Sequence, residues 1–285
     1  MKNKKNLFII IYIILLNYTL IYSNDTIYKF TFKNFSKNEE RHDLLNMSTQ
    51  LKINIINADN QETKVLAFKE TINKEEKILD LKKNNKIKII ATYKEVKIYD
   101  KTNLDNFTIN PVSGKSYIIE IEDKLINIKY KNSRESLTDV EIKHIESDYK
   151  NYIEYMNILS NLNGIEIKQG ENAAFMEDLI KYIFISEIGE SEINKINITV
   201  KEIKEYKKSK YAVFNISAEL IIILQGIKMN MLVKGEYTME LNTSREIGLN
   251  LIGDVNFDST ELKDDKETKI SGNGQIMFDR YISYK

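Results

Sequence analysis

From Ile227 the chain alternates with period two. Ile227, Met229, Met231, Val233, Gly235, Tyr237, Met239 and Leu241 share one parity, and the residues between them are polar except Leu232. Successive strand side chains point to opposite faces, so this alternation predicts one strand with a dry side and a wet side. The pattern recurs upstream at Phe214, Ile216, Ala218, Leu220, Ile222 and Leu224. It recurs downstream at Ile247, Leu249, Leu251, Val255 and Phe257, and again at Ile270, Ile276, Phe278, Ile282 and Tyr284. Gln225-Gly226 and Asn242 to Arg245 supply turns, and Asp258 to Glu267 reads as a charged loop. Residues 210 to 284 therefore predict a long antiparallel meander. Gly272 and Gly274 fall on its apolar parity, where glycine marks a bend or a close backbone approach. A strand of fifteen residues spans about 50 Å, and strands this long twist and coil.

The first half of the chain also reads as β. Tyr28, Phe30 and Phe32 alternate, as do Leu45, Met47, Leu51, Ile53 and Ile55. From Ile87 the apolar parity runs through Ile89, Ala91 and Tyr93, then switches to Val96 and Ile98, which predicts a bulge. Two short strands follow, at 117 to 122 and 125 to 131. The charged run 73 to 85 fits either a short helix or a loop. A short edge strand near Thr108 is an alternative to a loop over 100 to 110.

Between the β-rich halves the period changes. Ile142, Ile145, Tyr149, Tyr152, Ile153, Met156 and Leu159 form one helical stripe, which predicts a single long helix over 138 to 162. Thr138 and Glu141 fit a capping box at its start, and Asn163-Gly164 stops it. A shorter helix is expected from Asn172 to about Phe184. The fold class is α+β: long curved antiparallel sheets, half-barrel-like, with the two helices covering the apolar side. The segments are 1–23 as signal peptide, 24–135 as the N-terminal β-rich half, 136–192 as the helical middle and 193–285 as the C-terminal meander. The two halves are expected to form one unit.

Composition sharpens this picture in three places. Lys2, Lys4 and Lys5 precede the apolar run Leu7 to Leu16, and Ser23 ends the segment with a small residue; this is the layout of a secretory signal. An uncleaved anchor is the rival, but the run is short against the roughly 20 residues of a membrane span. The protein is therefore expected to be exported, periplasmic or extracellular, with no stable membrane span after cleavage. The 285 residues carry 42 basic and 42 acidic side chains, which argues against a nucleic-acid partner. Absence of cysteine removes disulfides, thiolate metal sites and a lipidated N-terminal cysteine.

Candidate chemistry is sparse. His42 and His144 have no ligand spacing and read as structural. The acidic run Asp258, Glu261, Asp264, Asp265 and Glu267 lacks calcium-loop spacing and reads as a solvated hairpin tip. Gly272-Asn273-Gly274 and Ser113-Gly114-Lys115 lack the helix context of phosphate loops. No catalytic, cofactor or metal residue is assigned, and the chain is expected to be non-enzymatic. The residues best suited to an apolar ligand are Met229, Met231, Tyr237 and Met239, because methionine adapts to irregular apolar shapes.

The segment Pro111-Val-Ser-Gly-Lys-Ser-Tyr117, the central helix, Lys234-Gly235-Glu236 and Gly253-Asp254 resemble uncharacterised bacterial secreted proteins of about this length. The architecture is similar to the lipoprotein-carrier half-barrels, and that resemblance implies an acyl-chain site between sheet and helix, with no residue role transferred. Two expectations follow. One is an exported protein binding an apolar or amphipathic small molecule, such as lipid, between sheet and helix. The other is an envelope or surface interaction protein with a filled core and a protein partner.

Overall fold

The last strand of the chain pairs with the first long one, and this joins the two β-rich halves into one sheet. In the computed structural model, which describes residues 26–57, 60–82, 86–99, 107–122, 125–188, 191–224, 227–263 and 266–285, β13 (Lys266–Tyr284) runs antiparallel to β2 (Glu40–Asn57). Their register holds from Thr268↔Asn57 to Tyr284↔Arg41 without a shift. From this seam the chain walks outward on one side through β3 (Asn60–Lys82), β4 (Lys86–Tyr99), β6 (Lys115–Glu122) and β7 (Leu125–Tyr130). The short β5 (Phe107–Ile109) pairs with β4. On the other side lie β12 (Arg245–Lys263), β11 (Ile227–Glu240), β10 (Ser209–Leu224) and β9 (Ser191–Tyr206). The result is an 11-stranded antiparallel sheet that is not closed. A small pair, β1 (Tyr28–Lys29) with β8 (Glu166–Ile167), stands apart from it.

The helical middle spans the gap from one sheet edge to the other. It comprises α1 (Asp139–Tyr149), α2 (Tyr152–Asn161) and α3 (Glu177–Ile188), the last preceded by a 3-10 turn at Ala174–Met176. The capping box forms: the Glu141 amide donates to Thr138 Oγ1, and the Thr138 amide donates to Glu141 Oε2. The single long helix expected over 138 to 162 is instead two. Asn151 leaves the helical region with φ −116° and ψ 16°, while the apolar stripe continues across the break. Ile145, Tyr149, Tyr152, Met156 and Leu159 are buried and belong to one core with Leu179, Ile180, Ile183 and the sheet's apolar face. This makes the chain a β-rich α+β protein.

Two further expectations are corrected. The run 73 to 85 is neither helix nor loop through Lys82; β3 continues through it, and Lys74 and Glu76 occupy inward positions. Charge at those positions hid the alternation. The loop expected at 258 to 267 is mostly strand, with β12 and β13 paired from Asp258↔Ser271 out to Lys263↔Lys266. The bulge expected in β4 is present: Asn73 faces Glu95 while Lys74 faces Tyr93, which leaves Lys94 unmatched. The signal segment 1–23, Gln225-Gly226 and Asp264-Asp265 lie outside the described residues. Among the described residues no helix is long and apolar enough to cross a membrane.

Glycine at the apolar parity allows adjacent backbones to come very close. A Cβ on Gly274 would stand 2.0 Å from the Gln50 carbonyl oxygen and 2.7 Å from Leu51 Cα. One on Gly235 would stand 2.0 Å from the Asn250 carbonyl oxygen. Gly274→Ala is expected to cost about 1–3 kcal/mol, because backbone rather than a flexible side chain must move. Gly170→Asn is the control: nothing lies within 4 Å, and asparagine tolerates its φ of +82°. Denaturant midpoints of the two variants check this; equal midpoints would contradict the close-approach argument.

Candidate functional site

Charged side chains continue the apolar parity of three strands. On β2, Arg41 and Asp43 precede Leu45 and Met47; on β3, Lys74 and Glu76 follow Ile72; on β13, Arg280 sits between Phe278 and Ile282. The register sets Arg41 opposite Glu76 and Asp43 opposite Lys74. All four are buried. They persist inside because they form a chain of alternating sign. Arg280 Nε donates to Asp43 Oδ1 at 3.0 Å, and Arg41 Nη2 meets Asp43 Oδ2 at 2.9 Å. Arg41 Nη1 then meets Glu76 Oε2 at 3.2 Å, and Lys74 Nζ lies 3.1 Å from both Glu76 Oε1 and Asp148 Oδ2. Asp148 belongs to α1, so the chain ties the helical layer to the sheet.

Tyrosines complete the polar layer. Tyr149 OH donates to Glu76 Oε1 at 2.6 Å, Tyr93 OH to Asp148 Oδ2 at 2.7 Å and Tyr155 OH to Glu246 Oε2 at 3.0 Å. The Lys74 ammonium lies 5.0 Å from the Tyr149 ring centre, within cation–π range. Burial raises the Tyr149 phenol pKa, and the Glu76 carboxylate adds to it. Burial acts against the charged form of Asp43, but the Arg280 and Arg41 guanidiniums overcome it and hold the carboxyl below its ordinary range. Glu76 is lowered in the same way by Lys74 and Arg41 against its burial.

Between this layer and the helices lies a cavity of about 250 Å³. The charged chain forms one wall, and Leu45, Met47, Ile72 and Ile183 form an apolar one. Tyr152, Tyr155 and Tyr182 come in from α2 and α3, and exposed Ser147 and Ser186 stand at its rim. Three lining residues carry a buried polar atom with no hydrogen-bond partner: Arg41 Nε, Glu246 Oε1 and His144 Nε2. Burial lowers the His144 pKa against the opposing pull of Asp148, which favours a neutral ring. Glu141 offers the contrast. It is also buried, yet Lys115, Tyr117, Tyr130 and the Thr138 amide all donate to it. It is a closed structural network. Among the described residues no three His, Asp or Glu side chains are grouped to hold a metal ion.

Met229, Met231, Tyr237 and Met239 share the apolar face as the alternation required, and all four are buried. They are not brought to the cavity wall. A Cβ on Gly253 would already stand 2.7 Å from Met231 Sδ, so that region is tightly filled. Tyr237 approaches the polar layer: after burial, the Glu246 carboxylate further raises its phenol pKa. His144, read from sequence as structural, lines the cavity. The charged residues of the layer went unassigned because they interrupt the apolar pattern. Their signal was charge of alternating sign at inward parity, as in Arg41-x-Asp43 and Lys74-x-Glu76.

Fold and site together define a β-rich α+β protein with a polar-walled cavity between sheet and helices. No family model matches the chain, and no curated protein matches it. The structure of P47 from Clostridium botulinum A2 is similar at 9% identity and a TM-score of 0.18, covering 86% of this chain and 80% of that one. A likeness this slight carries no argument about fold or function.

Asp43→Ala leaves Arg41 and Arg280 without their shared carboxylate. It is expected to destabilise by about 3–5 kcal/mol, as breaking one partner of a buried pair does. Acid titration of the native protein gives a second check. Asp43 and Glu76 have depressed folded pKa values, so their stabilisation is complete above the ordinary carboxylate range and is lost as pH falls below about 4. Thermal midpoints recorded from pH 7 to pH 3 should drop there, and the drop should shrink in the Asp43→Ala variant.

Proposed function

We propose that this chain is an exported, non-enzymatic protein that holds a small amphipathic ligand between its sheet and its helices. The observation that carries this reading is the two-sided cavity. It has a charged wall, an apolar wall and three buried polar atoms without hydrogen-bond partners in the protein. Ligand sites are concave, mostly preformed, and fix orientation with a few polar groups. At about 250 Å³ the cavity suits a small molecule or a lipid head group with the start of its tail. Close backbone approach at Gly235 and Gly274 supports the finer reading of a half-barrel-like curvature. Export rests on the basic n-region and apolar run of residues 1–23. The non-enzymatic reading rests on the ion pairs that neutralise Asp43 and Glu76, because a carboxylate held in this way is poorly placed to carry protons.

The second reading, an envelope interaction protein, has one observation in its favour. On the face opposite the helices, Leu232, Ile252, Met277 and Tyr281 are exposed on neighbouring strands.

Native mass spectrometry of the protein purified gently from an exporting host separates the two readings. The expected result is a stoichiometric adduct that solvent extraction removes. Ser147→Trp, at the exposed rim, should abolish the adduct while changing stability by no more than about 0.5 kcal/mol. A bare mass in the native protein, together with stable self-association or a bound protein, would overturn the ligand reading.

A further inference from the structure

Resting on the ligand reading above, we infer that the cavity takes an organic ammonium ion that also carries an oxygen acceptor. The alternating chain matches its own charges: Arg280, Arg41 and Lys74 are each engaged with Asp43, Glu76 or Asp148. An anionic head group would therefore have to break existing ion pairs to gain new ones. Glu246 is tied to that chain only by a long ion pair to Arg280, which pairs more closely with Asp43. It is 1% exposed, its Oε2 accepts from Tyr155, and its Oε1 has no hydrogen bond. Arg280 Nη1 stands 3.9 Å from Oε1, too far for a hydrogen bond. A buried carboxylate with an unsatisfied oxygen at a cavity wall favours a cation there.

The surrounding groups fit the same ligand. Tyr155 and Tyr182 stack at 5.4 Å between ring centres, and both line the cavity beside Tyr152. Aromatic faces attract ammonium groups, most strongly where water is excluded. Arg41 Nε is the complementary orphan, a buried donor that asks for an acceptor on the ligand. The apolar wall of Leu45, Met47 and Ile72 accommodates methyl groups or a short alkyl arm.

Calorimetric titration with choline and with 3,3-dimethyl-1-butanol tests this. The two share shape and hydroxyl, and only choline is charged. Choline is expected to bind at one site, and the uncharged analogue at least about tenfold more weakly. Glu246→Gln, which keeps the shape and removes the charge, should erase that preference. Tyr182→Leu, which leaves every residue of the ion chain in place, should weaken choline, and circular dichroism confirms that each variant is folded. Equal binding of the two probes would overturn the cation inference and leave the ligand reading standing. So would a native adduct in a protein that ignores choline. No binding of either probe together with a bare native mass would overturn both.

Discussion

Six charges between sheet and helices, four of them buried and two half-buried, are the constraint on which this structure depends. Desolvating any one of them alone would cost several kcal/mol, so none is tolerable without its neighbours. The alternation Arg280, Asp43, Arg41, Glu76, Lys74, Asp148 makes the arrangement self-consistent. It draws on β13, β2, β3 and α1, and so fixes the register of the central strands and the seat of the helical layer together. A one-residue slip of β2 against β3 would turn Arg41 and Asp43 to the opposite face and leave Lys74 and Glu76 alone inside. The apolar faces supply the drive to bury surface. The ion chain supplies the requirement that they do so in one alignment.

The same layer explains the position of the cavity. Apolar side chains of the far strands interdigitate closely, as Met231 does against Gly253. Ionised groups cannot be packed this way, because their geometry is set by hydrogen-bond distances and directions. Where the charged wall meets Leu45, Met47 and Ile72, the two packing rules conflict and space remains.

Period-two alternation was enough to read the C-terminal meander and the β4 bulge, and the Thr138–Glu141 spacing was enough to read the capping box of α1, because in each the local pattern and the tertiary environment agree. It failed at Asn73 to Lys82, where inward positions are charged, and at Asp258 to Lys263, where polar residues extend a strand. The helical stripe, in turn, did not separate α1 from α2, since the break at Asn151 leaves it in phase. The candidate site was illegible for the reason that makes it a candidate. Arg41 and Asp43 come within range of Arg280 only through pairing across most of the chain, and a single sequence carries no trace of that partnership. The methionines were rightly placed on the buried face. Nothing in their own pattern distinguished filled core from cavity wall.

The seam between β2 and β13 sets the order in which this molecule is able to form. Arg280 and Asp43 are separated by 237 residues, and the central pairing of the sheet uses the last strand in the chain. Contacts this distant in sequence carry a large loop-closure cost and slow folding. Neither half completes its sheet while the other is missing. During synthesis, β2 therefore has one edge unpaired and Asp43 lacks Arg280 until β13 emerges. Closing that seam is the step that joins the two halves into one sheet.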